Sequence, residues 1–185
     1  SGPGCHNFAP FRDANPDCPP EEQNKAFGLG SHEGTKGLLA FVSADGIHWR
    51  LRHPAPVITK GAFDSQNLAF WDPVRARYVA FFRNFRNGVR DIMTCTSDDF
   101  QHWSEPEWLR YPGAEPEHLY TNQIVSYFRA PQLFLGFPKR FRPDRTYPGN
   151  RMPGLSDGVF MSSRDGITFH RWREAFVRPG PQRIR

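Results

Sequence analysis

Three acidic side chains, Asp13, Asp64 and Glu117, stand at comparable distances from a phrase that this chain writes three times. The phrase is Ser43-Ala44-Asp45-Gly46-Ile47-His48-Trp49, then Ser97-Asp98-Asp99-Phe100-Gln101-His102-Trp103, then Ser163-Arg164-Asp165-Gly166-Ile167-Thr168-Phe169. Asp64 follows Asp45 by 19 positions and Glu117 follows Asp99 by 18. Asp13 precedes Asp45 by 32, and Asp64 precedes Asp99 by 35. With the phrase as a ruler, the three acids open successive repeat units and are expected to converge at one mouth. A set of two Asp and one longer Glu suits cleavage of a glycosidic bond. One carboxylic acid protonates the leaving oxygen, and one carboxylate activates water or attacks the sugar carbon. A third carboxylate would push their pKa values apart. Taken singly, each acid equally suits a turn cap or an arginine partner.

Smaller signals surround the acids. Asn15, Asn67 and Asn122 each follow an acid by a few residues and suit either sugar hydroxyls or loop capping. His118 adjoins Glu117, where it would tune the acid or bind substrate. Arg83 and Lys139 end aromatic runs, and a cationic pair there would meet a uronate, sulfate or phosphate group; the alternative is plain surface charge. Trp71 suits stacking on a sugar ring or, beside Asp72-Pro73, a place in the core.

The elements that must position these residues are strands. Each phrase follows an apolar run, so Ser and Asp accept backbone N–H bonds in a tight corner and Gly takes the φ > 0 position. Phe100 replaces that Gly in the second copy, so its turn is expected to differ. The aromatic residue closing each phrase drops into an apolar layer. Strands are expected at Lys25–Leu29, Leu38–Val42, His48–Arg52, Asn67–Trp71, Tyr78–Arg83, Ile92–Thr96, Gln123–Tyr127, Gln132–Phe137, Val159–Ser162 and Thr168–Trp172. No amphipathic helix is evident. Residues 142–155, with Pro143, Pro148 and Pro153, read as a long loop inside the third repeat. Strands in fours at a period of tens of residues point to an all-β chain, a β-propeller of four-stranded antiparallel blades, with units near 8–58, 59–110 and 111–176.

Composition bounds the rest. The chain has 185 residues, 15% aromatic and 23% charged, which fits one domain with a real core. The 16 Gly and 18 Pro suit many turns. No run of 18 apolar residues is present, so no transmembrane helix and no membrane partner are expected. Net charge is +5, and Arg83–Arg86, Lys139–Arg142 and Arg171–Arg173 interleave cations with aromatics. Nucleic-acid binding would use such clusters, but without a compact stripe or motif solvated strand faces explain them better. An anionic or sulfated glycan is a third partner. Cys5, Cys18 and Cys95 lack zinc spacing; Cys5 and Cys18 could pair.

The Asp, Asp, Glu order in successive units resembles the five-bladed β-propeller glycoside hydrolases, the superfamily of families 43, 32 and 68. Asp13-Ala14-Asn15-Pro16 is similar to the Asn-Asp-Pro-Asn stretch of the invertase branch, whereas Phe63-Asp64-Ser65 and Glu117-His118-Leu119 depart from that branch's Arg-Asp-Pro and Glu-Cys-Pro. The resemblance implies Asp13 as base or nucleophile, Asp64 as pKa modulator and substrate holder, and Glu117 as general acid. It implies inversion, a poly- or oligosaccharide substrate, a secreted or periplasmic setting and no required cofactor, with room for a structural calcium or other ion in the central channel. It also implies five blades, of which about three and a remnant fit in this length, so the chain is expected to be a partial member. Two other functions compete: a propeller module that binds glycan or protein without turnover, and a sialidase-like protein, since the phrase resembles a shortened Asp-box.

Overall fold

The computed structural model describes residues 7–146 and 153–180. Cys5, and with it the Cys5–Cys18 pairing, lies outside the described residues. The first sheet is β1 (Ala9–Arg12), β2 (Asn24–His32), β3 (Thr35–Ser43) and β4 (Arg50–Leu51), paired in that order. The second repeats it with β5 (Leu68–Asp72), β6 (Arg77–Arg86), β7 (Val89–Ser97) and β8 (Glu107–Trp108). The third contains β9 (His118–Leu119), β10 (Ile124–Tyr127), β11 (Ala130–Gly136), β12 (Lys139–Arg142), β13 (Leu155–Ser163) and β14 (Phe169–Val177).

The third sheet is also a four-stranded blade. β11 and β12 pair with successive stretches of β13, at Phe134↔Ser163 and Arg142↔Leu155, so they form one strand interrupted at Phe137-Pro138. Pro138 has no N–H to give, and a strand interior tolerates that only at such a break. β9 and β10 form the inner strand in the same way. The chain is thus all-β, three antiparallel blades of a propeller, with a single 3₁₀ turn among the described residues, at Pro20–Glu22. All ten expected strands are present. Sequence alone missed β1, β8, β9 and β12, which are two to four residues long, too short to show apolar alternation.

Two apolar seams join the blades. Phe27, Leu38 and Ala40 of the first blade pack against Phe63, Tyr78, Ala80 and Phe82 of the second. On the other face of the second blade, Val79, Phe81 and Ile92 meet Leu119, Ile124, Phe134 and Val159 of the third. Alternation along β6 (Tyr78, Ala80, Phe82 one way; Val79, Phe81 the other) feeds both seams, because the middle blade is buried on both faces.

The repeated phrase forms the same corner each time. Asp45 Oδ1 accepts from the N–H groups of Ile47 (2.9 Å) and His48 (2.8 Å). Asp99 accepts from Gln101 and His102 (both 2.8 Å), and Asp165 from Ile167 (2.8 Å) and Thr168 (2.6 Å). Gly46 and Gly166 lie at φ 75° and 80°, and Phe100 adopts φ 63° in the same slot. The expectation of a different second turn is therefore corrected. The corner's own hydrogen bonds hold Phe100 in the left-handed conformation, and its fully buried ring, stacked on Phe27 at 5.2 Å and edge-on to Tyr78 at 5.2 Å, offsets the strain. The corners also dock blade to blade: Arg52 donates to Asp99 O (2.8 Å), and Arg110 N donates to Ile167 O (2.9 Å).

The corner carboxylates set an acid limit. Burial raises Asp165, but the Ile167 and Thr168 N–H groups outweigh it and bring the carboxyl down to about 2 from 3.8. A depressed folded pKa contributes stability that is complete above the unfolded value and is lost as pH falls through the folded one. Asp165→Ala is expected to cost about 1 kcal/mol at neutral pH, the scale for an exposed backbone-capping carboxylate. The gap from wild type should stay constant above about pH 4 and close towards about pH 2. Chemical denaturation at several pH values reads both; a gap that closes near pH 6 would contradict the assignment.

Candidate functional site

Strand register places the three acids. Ser43, Ser97 and Ser163 begin the corners and pair across to Asn24, Tyr78 and Phe134. Those residues in turn face Arg12, Trp71 and Ser126 on the inner strands. Asp13, the residue after Arg12, therefore matches Asp72, the residue after Trp71. Both lie at the corner end of a blade. Asp64 precedes β5 by four residues and Glu117 immediately precedes β9, so both lie at the opposite, mouth end. The expectation that Asp13 shares their position is corrected: its blade carries an 11-residue link between β1 and β2, against four residues between β5 and β6. Counting back across links of unequal length selects the wrong residue. The position matching Asp64 in the first blade is four before Ala9, outside the described residues.

Asp13 is fully buried in a polar knot at the seam of blades one and two. Lys25 Nζ lies 2.7 Å from its Oδ2, Tyr78 donates to the same oxygen at 2.6 Å, and Asn15 N–H donates to Oδ1 at 2.9 Å. Burial raises the Asp13 carboxyl, but Lys25, Tyr78 and Asn15 together hold it below the ordinary value. The Asn15 amide donates to Tyr78 Oη at 3.3 Å. Asp72 performs the matching task one blade on: it binds Arg75 Nη1 at 2.7 Å, and Arg75 reaches the Arg164 carbonyl in the third blade. Trp71 packs edge-on against Tyr78 at 4.9 Å, within the core.

At the mouth end, Asp64 is 65% exposed and paired with the guanidinium of Arg83, which is 3% exposed and also donates to Ser65 Oγ at 3.2 Å. Asp64 lines a cleft of about 380 Å³ with Asn7, Phe8, Gln66, Tyr120 and Gln123, built where all three inner strands begin. Gln66 Oε1 accepts from Gln123 N–H at 3.2 Å and ties the second and third blades together across it.

Glu117 lines different clefts, beside Arg171 and Arg142. Its Oε1 and Oε2 accept from Arg140 at 3.1 and 3.2 Å, and Oε2 also from Arg171 at 2.5 Å. Arg140 in turn grips Asp157 in a two-bond fork, 2.8 and 2.7 Å, with both side chains 4% exposed. The structure thus does not gather the three acids; each meets its own cation.

Asn67 and Asn122 occupy matching places two residues before Ala69 and Ile124, and both are buried. The Asn67 amide donates to the carbonyls of Phe63 and Ser65 (3.0 Å each), and that of Asn122 to Gln66 and Phe81 (3.2 and 3.1 Å). They shape the loops that carry Asp64 and Tyr120. His118 Nδ1 accepts from Arg90 N–H at 3.2 Å, and burial with the nearby Arg90 charge lowers its pKa.

Sequence reading missed Tyr120, Gln66 and Arg90 at the mouth, and the Arg140–Asp157 pair behind it. Arg90 had no signal of its own; only the hairpin register, Phe85↔Arg90, brings it beside Arg83. Among the described residues, no three His, Cys, Asp or Glu side chains gather closely enough to hold a metal ion.

No family model and no curated protein matches the sequence. Solved structures do match its shape. An N-acetylgalactosamine deacetylase from F. plautii, in complex with blood group B trisaccharide, superposes with TM-score 0.66 at 14% identity over 95% of this chain and 55% of its own. A glycosyl hydrolase from Bacteroides ovatus gives 0.60 at 11% identity, over 91% of this chain and 49% of its own. The GH93 α-L-arabinofuranosidase of Fusarium graminearum, in complex with arabinobiose, gives 0.58 at 10%, over 90% and 50%. The chain spans about half the length of these proteins. At such identities the likeness shows the fold, a propeller shared with carbohydrate-active proteins.

Proposed function

We propose that the chain forms part of a glycoside hydrolase that takes a poly- or oligosaccharide at the mouth of the propeller. The observation that carries this is Asp64: an exposed carboxylate on a cleft at the converging inner strands, fixed by a buried arginine. Glycosidic cleavage needs a carboxylate at the anomeric carbon, and a side chain held by a buried partner is the kind of group that can be aimed. Asp64 takes the part of the reacting carboxylate here, and the acid that protonates the leaving oxygen comes from another part of the hydrolase, since Asp64 is the one acid among the described residues lining this cleft. Glu117, with both oxygens turned to arginines, and Asp13, sealed at the corner end, serve as anchors of the blades. Tyr120 and Gln66 supply a ring face and an amide beside Asp64, the usual means of holding a sugar.

The test is hydrolysis of arabinan, xylan, mannan and galactan oligosaccharides by the wild-type chain and by Asp64→Asn. The variant is expected to lose about 10²–10⁴-fold in kcat, the scale for a positioned acid–base group. Turnover unchanged in Asp64→Asn overturns the assignment. A second function, glycan binding without turnover, is favoured by the cation partner that each of the three acids possesses. Saturable glycan binding with no product released would establish it instead.

A further inference from the structure

Beside the Asp64 cleft stands a group of cations with too few anions to match it. Arg83 and Arg90 project from the same face of the β6–β7 hairpin, because Arg83 and Phe85 are two apart on β6 and Arg90 pairs directly with Phe85. Lys139 opens β12 of the next blade, and its carbonyl accepts from Tyr120 N–H at 2.7 Å. The three charges meet around one ring. From the Tyr120 centroid, Arg83 is 5.2 Å away, Arg90 5.5 Å and Lys139 Nζ 5.2 Å. Phe85 packs against both guanidiniums, at 4.9 and 5.5 Å.

Asp64 answers Arg83. Among the described residues, neither Arg90 nor Lys139 has an acidic partner, and the buried Arg90 Nε has no hydrogen-bond acceptor. The ring faces offset part of the repulsion between like charges so closely set, and an anion would remove the rest. His118 does not supply one: its Nδ1 accepts from the Arg90 backbone N–H, so the imidazole adds no negative charge.

We propose that Arg90 and Lys139, with Tyr120 between them, form a subsite for an oxyanion carried on a sugar, either a uronate carboxylate or a sulfate ester, one residue along the glycan from Asp64. Guanidinium and ammonium groups bind such oxygens through charge-assisted hydrogen bonds. The cleft and the cation group share Tyr120, so one oligosaccharide reaches both. This deepens the proposed function and rests on it.

Binding of the full chain to three probes tests it by calorimetry at low and moderate salt: tetragalacturonate, a κ-carrageenan tetrasaccharide and neutral galactotetraose. At least one anionic probe is expected to bind about tenfold or more tightly than the neutral one, with the advantage shrinking as salt rises. Whichever anionic probe binds identifies the source of the oxyanion. Lys139→Gln and Arg90→Gln should each remove most of that advantage. Arg129→Ala, which deletes one positive charge at the β10–β11 turn, should leave the advantage intact. Equal affinity for charged and neutral probes overturns the subsite while leaving the glycosidase reading in place. Equal losses in Lys139→Gln and Arg129→Ala also overturn it, since they would mean attraction by net charge alone. Failure to bind or cleave any glycan overturns both.

Discussion

Replacing Arg140 by Met is expected to cost about 3–5 kcal/mol of stability, the range for removing one member of a buried ion pair. Arg140 donates four side-chain bonds to two acids, two to Asp157 and two to Glu117, and a fifth to the Arg173 carbonyl at 3.0 Å. Without it Asp157 stays buried with no opposite charge in contact among the described residues, and desolvation of that carboxylate dominates the loss. Glu117 fares better, because Arg171 still reaches it. At about 2–4 °C per kcal/mol for a chain of this size, the thermal midpoint should fall by about 10 °C. Removing both members answers the question of cause. An Arg140→Met/Asp157→Leu variant is expected to be more stable than Arg140→Met alone, because no buried charge is left unpaired. A double variant that loses the sum of the two single losses would show that the pair is not the source.

Phe100→Ala is expected to cost about 3–5 kcal/mol, as for other large-to-small changes at a fully buried aromatic site. Phe100 touches Phe11, Phe27, Tyr78 and Trp103, which makes it the centre of the seam between the first two blades. Its backbone at φ 63° adds a second, opposing effect. A left-handed residue with a Cβ costs roughly 1–2 kcal/mol, which glycine avoids. Phe100→Gly should therefore be more stable than Phe100→Ala by about 1 kcal/mol, the reverse of the usual order for these two residues. Thermal or urea unfolding of both variants checks it. If alanine proves the better replacement, the conserved shape of the corner is not what holds Phe100 in that conformation.

The two effects explain what was legible in the chain and what was not. The corners were legible because their chemistry is local: Asp45, Asp99 and Asp165 bond to N–H groups two and three residues away, so the spacing in the phrase carries the geometry with it. The long strands were legible for the same reason, since alternation at period two is a property of neighbouring residues. Even Phe100 departed from the phrase in identity and not in shape, because burial of its ring outweighs the strain.

The mouth was only partly legible. Arg83 and Lys139 stood out as a cationic pair, and they do meet at one ring, but the ring is Tyr120 and the third charge is Arg90. These come from two blades, and their meeting depends on hairpin register and blade packing. Asp64 and Glu117 both precede inner strands, but the register that matches Asn67 with Asn122 puts Leu119 at the place of Asp64, and Glu117 turns to Arg140 and Arg171, 23 and 54 residues away. Asp13 was misplaced because the link from β1 to β2 is longer than its counterpart, and a loop changes length without disturbing the strands that it joins.

The sequence by itself determined the all-β class and the corner that closes each blade, because both rest on hydrogen bonds and side-chain alternation within a few residues. Only the tertiary structure decided which cation meets each carboxylate and which cleft, if any, it lines. Asp13, Asp64 and Glu117 are alike in sequence, and their difference lies in Lys25, Arg83 and Arg140, partners 12 to 23 residues away. Electrostatic pairing acts through space, and the side chain of an acid takes its role from what the fold brings against it.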